Sequence, residues 1–124
     1  MNYTILIADD EPEIRTLLRL YLENENYQII EAENGKQALE LLKKEHVDLC
    51  LLDIMMPEMD GYEASRQIRA INRPDAKTVP IIALTAYAFT EDAQRAAEAG
   101  MDAHMTKPFD FDKLKKCMSE IKQS

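Results

Sequence analysis

The 124 residues carry 15 Lys and Arg against 23 Asp and Glu, a formal charge of −8, and 46% of them are apolar. That length fits one domain, residues 1–124, with a core of ordinary size and no room for a second. The acidic balance argues against nucleic-acid or anionic-membrane binding, since both need basic surface, and no apolar run approaches the roughly 20 residues of a membrane span.

The first apolar run, Thr4–Ala8, predicts a strand. It runs into Asp9-Asp10-Glu11-Pro12, where acids and a proline suit the unpartnered donors of a helix start. Ile14, Leu17, Leu18, Tyr21 and Leu22 then recur at the spacing of one helix face. Gln28–Ala32 predicts a second strand, ending in the surface-like Glu31-Ala32-Glu33. Asn34-Gly35 turns into a second helix marked by Ala38, Leu41 and Leu42, with His46 expected at its favourable C-terminus. Asp48–Leu52 predicts the third strand and buries the Cys50 thiol. Met55, Met56 and Met59 are expected to fill gaps in the packing. Asp60-Gly61 leads into a third helix through Ala64, Ile68 and Ile71, and Pro80–Leu84 follows as the fourth strand. Thr90-Glu91-Asp92 caps a fourth helix, alanine-rich from Ala93 to Ala99 and closed by Gly100. Ala103–Met105 is the fifth strand. Asp110 can cap a fifth helix through Phe111, Leu114, Met118 and Ile121.

Strands one and three are apolar at consecutive positions, so both of their faces are covered, as in a parallel sheet between helix layers. Five alternating strand–helix units are too few for an eight-stranded barrel. An open, doubly wound α/β sheet remains, with right-handed crossovers and its ligands outside the carboxyl ends of the strands.

At those ends stand Asp9 and Asp10, Asp53, Thr85, and Lys107 followed by Pro108. If the strand order is 2-1-3-4-5, three carboxylates converge, with Thr85 and Lys107 flanking them. Carboxylates this close either share a proton or ionise around a cation. A hard dication suits oxygen ligands, and Mg²⁺ takes one or two carboxylates together with phosphate oxygens. A carboxylate is also a competent nucleophile toward phosphorus, forming an acyl phosphate. Mg²⁺, Lys107 and the Thr85 hydroxyl would neutralise the oxygens of a transferring phosphoryl group. The constellation reads as a Mg²⁺-assisted phosphoacceptor site.

Four blocks carry a family resemblance: Ile5–Glu11, Asp48–Gly61, Pro80–Ala86, and Ala99–Asp102 followed by Lys107-Pro108. In that order they resemble the receiver domain of two-component response regulators over nearly the whole chain. Leu84–Phe89 is similar to receivers attached to hybrid histidine kinases. The resemblance implies a flavodoxin-like fold of five parallel strands in the order 2-1-3-4-5 with five helices. It implies that Asp53 is phosphorylated and that Asp10, Asp53 and the backbone carbonyl of Met55 ligate Mg²⁺ directly, with Asp9 acting through water. Thr85 and Lys107 would each hold a phosphoryl oxygen. The Lys107–Pro108 bond is often cis in the family and would aim the lysine. His104 stands where the family's switch residue is usually Tyr or Phe, and brings a group that titrates near neutrality; a packed or surface imidazole is its plainer reading. Bulky Met55 and Tyr87 would shield the acyl phosphate from water.

The expected function is a phosphorelay switch rather than an enzyme. A histidine kinase or histidine phosphotransfer protein would donate to Asp53, and the face formed by the fourth helix, fifth strand and fifth helix would bind a partner or a second copy. Two alternatives are a small Mg²⁺-dependent aspartyl-phosphate phosphohydrolase and an interaction module independent of phosphorylation. The hydrolase usually needs Asp-x-Asp after the first strand, and here the run is Asp9-Asp10-Glu11. A cytoplasmic location is expected from the lack of a secretory signal at Met1–Thr4 and from only two cysteines, Cys50 and Cys117. With no DNA-binding segment after Ser124, any output is expected from a partner or from a region beyond this chain.

Overall fold

A computed structural model describes residues 3–86, 90–107 and 110–123. The elements run β1 (Thr4–Ala8), α1 (Pro12–Asn24), β2 (Gln28–Ala32), α2 (Gly35–Lys44), β3 (Leu49–Asp53), α3 (Gly61–Arg69), α4 (Pro74–Thr78), β4 (Ile81–Thr85), α5 (Thr90–Glu98), β5 (Ala103–Thr106) and α6 (Phe111–Gln123). All strand pairs are parallel, in the order β2-β1-β3-β4-β5.

Alternation along the strands divides the core into two layers. Ile5, Ile7, Leu49, Leu51, Ile82 and Leu84 pack on Leu18 and Leu22 of α1 and on Leu114 and Met118 of α6. Leu6, Ala8, Cys50, Leu52, Ile81 and Ala83 pack on α2, α3 and α5. Strands β1, β3 and β4 are therefore buried on both faces, which is why their sequences carry unbroken apolar runs.

The punctuation is chemical. Pro12 opens α1. Asn34 Oδ1 accepts from Gln37 N at 2.8 Å, and Asp60 Oδ1 from Glu63 N at 2.9 Å, so both act as N-caps. Asp110 Oδ1 accepts from Asp112 N at 2.9 Å at the head of α6. Gly100 ends α5 with φ +92°, where a side chain is disfavoured. The expected cap at Thr90-Glu91-Asp92 involves side chains outside the described residues.

Several expectations are corrected. There are six helices rather than five, because the one-turn α4 begins at Pro74 and is too short to show a periodic face. β3 and β4 each start one residue later than expected: Asp48 uses its carboxylate to accept from Thr4 N at 2.8 Å, and Pro80 has no N–H for a ladder. Leu17 is 49% exposed rather than part of the buried face of α1. Met55 is 70% exposed and fills no gap, whereas Met56 is buried. Both cysteines are free; Cys50 is fully buried, and burial pushes its thiol up to about 12.

His46 does not serve the end of α2. Its ring nitrogens contact Asp75 Oδ2 at 3.1 Å and Asp48 Oδ1 at 2.9 Å, tying the start of β3 to α4. Arg73 continues the tie, with Nη1 donating to the carbonyl of Lys43 and Nε to Asp75. Hydrogen bonds to Asp75 and then Asp48 hold His46 above its usual pKa, against a small opposing effect of burial. A raised imidazole stabilises the fold fully below its unfolded pKa, and that contribution fades as pH rises through the folded value. Wild type should therefore lose its advantage over His46→Gln between about pH 6 and 8. Urea denaturation at the two pH values checks this; the difference should stay under about 1 kcal/mol because the ring is exposed to solvent.

Candidate functional site

Strand register builds the site. Ala8 pairs with Leu52, so Asp9 follows β1 beside Asp53 at the end of β3. Asp53 pairs with Leu84, so Thr85 stands one residue further along β4. Thr85 pairs with Thr106, and the next residue, Lys107, donates its N–H to the Thr85 carbonyl at 2.7 Å. The five side chains selected from the sequence thus gather at one edge of the sheet. Asp9 is fully buried, and Asp53 and Thr85 are nearly so, while Asp10 is exposed.

Asp9, Asp10 and Asp53 each offer a carboxylate oxygen within 4.8 Å of the others. At an effective dielectric of about 20, each ionised pair at that separation costs roughly 3–4 kcal/mol of repulsion. Among the described residues, Lys107 is the cation that meets these carboxylates: its Nζ lies 2.8 Å from Asp9 Oδ2, 3.5 Å from Asp53 Oδ2 and 3.5 Å from Glu11 Oε1. Burial lowers the lysine's pKa, but Asp9, Asp53 and Glu11 outweigh burial and hold it above its usual value. One ammonium does not balance three carboxylates. Burial, and next the charge of Asp9, push Asp53 up to about 7, against the pull of Lys107 and of the Met55 N–H, which donates to Asp53 Oδ1 at 3.3 Å.

The second feature is the buried Asp9 carboxylate. Asp9 Oδ1 accepts from Glu11 N at 2.9 Å, and the fully buried Oδ2 meets the Lys107 ammonium at 2.8 Å. The same ammonium is shared with Asp53 and Glu11. A buried carboxylate oxygen in this position, beside two more carboxylates, fits a hard dication such as Mg²⁺.

The loop after β3 is set by glycine. A Cβ on Gly61 would stand 2.3 Å from the Asp53 carbonyl oxygen, so α3 starts in backbone contact with Asp53. Gly61 N donates to the Ile54 carbonyl at 3.0 Å, closing the loop that carries Met55. His104 is exposed on β5, beside a groove of about 270 Å³ lined by Met105, Asp110, Lys113 and Cys117. Tyr87 and Pro108, expected to shield the site and to aim Lys107, lie outside the described residues.

Glu11 and Gly61 stand in the motif blocks, yet the sequence assigned neither a role at the site. Arg15 was missed as well: its Nη1 donates to the Asp9 carbonyl at 2.7 Å. Its position one turn after Glu11 was the available signal.

The receiver-domain model of response regulators matches residues 5–119. The chain belongs to the response regulator receiver family. This receiver is 50% identical over 105 residues to the transcriptional regulatory protein ResD of Bacillus subtilis, covering 85% of this chain and 42% of ResD. It is 40% identical over 115 residues to sporulation initiation phosphotransferase F of the same organism, covering 93% of this chain and 90% of that protein. Among solved structures, the receiver domain of a sensor histidine kinase from Pseudomonas aeruginosa PAO1 superposes with a TM-score of 0.89 at 32% identity, over all of both chains. That domain carries a magnesium ion coordinated in its active-site cleft. The receiver thus spans less than half the length of ResD and nearly all of the phosphotransferase. None of its described helices is long and apolar enough to cross a membrane.

Proposed function

We propose that this receiver accepts a phosphoryl group from a phosphohistidine donor onto Asp53, in a phosphorelay, with Mg²⁺ held by Asp9, Asp10 and Asp53. The Asp9, Asp10 and Asp53 carboxylates, with oxygens within 4.8 Å of one another and one ammonium, Lys107, shared between Asp9 and Asp53, carry the reading. A similar receiver that coordinates magnesium in its cleft supports it. Bound Mg²⁺ supplies positive charge against the carboxylates and the phosphoryl oxygens. Asp10, Asp53 and the Met55 carbonyl would hold the ion, with Asp9 assisting through water.

An oxygen of the ionised Asp53 attacks phosphorus as the P–N bond to the donor imidazole breaks. The bonding pair leaves with the imidazole, so no general base is needed. Lys107 turns from its carboxylates to one phosphoryl oxygen, and the Thr85 hydroxyl meets another. The chain is a phosphoacceptor rather than an enzyme with a separate substrate. Its donor is a histidine kinase or histidine phosphotransfer protein in the cytoplasm.

Phosphorylation adds about −1.5 to −2 charges at the edge of the sheet. Thr85 and Lys107 draw toward the adduct, and the loop after β4 follows. The α5–β5–α6 face, with His104 beside its groove, is then remodelled to bind a partner or a second copy.

Incubation with acetyl phosphate should give one phosphoryl mass increment per chain with Mg²⁺ and none in EDTA, read by intact mass spectrometry. Continuous turnover of acetyl phosphate without a lasting adduct would favour a phosphohydrolase. No adduct under either condition would contradict the proposal.

A further inference from the structure

Arg15, one of the cations near the acid cluster, holds no carboxylate of that cluster. Its side chain is only 12% exposed, and it donates to the cluster's backbone, through Nη1 to the Asp9 carbonyl at 2.7 Å. Its Nε donates to Glu31 Oε1 at 3.1 Å. Glu31 stands on β2, and its second oxygen takes Nη1 of Arg19. Both oxygens of Glu31 are thus occupied by guanidinium groups, and the Arg15 fork is aimed from β2 at the turn between β1 and α1.

That turn carries the two adjacent carboxylates of the site. Three bonds fix Asp9: its N–H donates to the Ala32 carbonyl at 3.2 Å, its Oδ1 accepts from Glu11 N, and its carbonyl accepts from Arg15. The first two hold the chain leaving β1 and the cap of α1. The third holds the peptide that joins Asp9 to Asp10, and so sets where both carboxylates stand relative to Asp53.

We propose that Arg15, aimed by Glu31, is a positioning residue for Mg²⁺ at the Asp9–Asp10–Asp53 cluster. This rests on the reading that the cluster binds Mg²⁺. Charge and position make opposite demands. A guanidinium beside the cluster repels a dication, so if Arg15 acted only as a charge, its removal would tighten Mg²⁺ binding. If it acts by holding the Asp9 peptide, its removal lets the carboxylates wander and weakens binding, as loss of an outer-shell partner does. Lysine keeps the charge but lacks the planar fork that reaches Glu31 and the carbonyl together.

The test is Mg²⁺ affinity by isothermal titration calorimetry, at fixed ionic strength and pH 8, for wild type, Arg15→Met, Arg15→Lys and Glu31→Gln. Thermal midpoints without metal are measured alongside. Arg15→Met should weaken Mg²⁺ binding about 10-fold, Arg15→Lys should fail to restore it, and Glu31→Gln should weaken it in the same direction. A merely structural role would lower the midpoints and leave the affinity unchanged. Unchanged or tighter binding in the Arg15 variants overturns the proposal. If Arg15→Met does not fold, Arg15→Lys and Glu31→Gln decide it. Wild type that binds no Mg²⁺ would instead overturn the metal reading, and the proposal with it.

Discussion

Asp53→Asn is expected to take up no phosphoryl group from acetyl phosphate and Mg²⁺, and yet to fold into a more stable protein than wild type. An amide is a poor nucleophile and offers the metal no charge. The gain in stability follows from the crowding of the site. The Asp53 carboxyl is nearly buried, and Asp9 and Asp10 each hold an oxygen within 4.8 Å of it. Together these push its pKa up to about 7. The folded state therefore keeps a proton that the unfolded chain has released, so wild-type stability falls as pH rises from about 4 to about 7. Above that window the charged carboxylate carries its whole penalty, and asparagine carries none. Metal-free Asp53→Asn at pH 8 should exceed wild type by up to about 4 kcal/mol, or roughly 10–20 °C in midpoint, with the gap closing below pH 4. Added Mg²⁺ should close the same gap from the other side by stabilising wild type alone. Thermal melts at pH 4 and pH 8, with and without Mg²⁺, check both trends.

Gly61→Ala is expected to damage fold and site together. Its Cβ would meet the Asp53 carbonyl oxygen at 2.3 Å and Ile54 Cα at 2.9 Å, and backbone atoms have no rotamer by which to move away. Either α3 shifts outward or the end of β3 is displaced. The cost is about 2–3 kcal/mol, the range for forcing atoms into close packing. Gly100→Ala is the informative comparison. There the obstacles are the strained φ of +92° and Arg69 Cγ at 2.8 Å, both at the far end of α5. It should cost about 1–2 kcal/mol and leave Mg²⁺ affinity as in wild type. Gly61→Ala should lower that affinity several-fold beyond its effect on stability. Urea denaturation paired with Mg²⁺ titration separates the two.

Much of this was readable from residue order because two signals reinforced each other. Unbroken apolar runs at Ile5–Ala8 and Leu49–Leu52 require cover on both faces, and the polar residues that end such runs then fall at one edge of the sheet. Asp9, Asp10, Asp53 and Thr85 are of this kind, whereas Lys107 follows the partly exposed β5. What was missed depends on side-chain reach. Leu17 satisfies the helical spacing, but at 100° per residue it lies about 120° from the buried Leu18–Leu22 meridian, so it faces solvent. Met55 lies next to buried residues in sequence, yet it sits on a loop that turns outward. The tie from Arg15 to the Asp9 carbonyl joins a helix side chain to a backbone atom, and the partnership of His46 with Asp75 spans 29 residues. Long flexible side chains choose partners by proximity in the finished fold, and local patterning carries no record of it.

The most direct measurement is the position of the adduct. The receiver is treated with acetyl phosphate and Mg²⁺, and the acyl phosphate is then reduced with borohydride, which converts an aspartyl phosphate to homoserine. Peptide mass spectrometry should find homoserine at position 53 and aspartate unchanged at positions 9 and 10. Homoserine at position 9 or 10, or a fully phosphorylated chain with aspartate intact at position 53, would contradict the account.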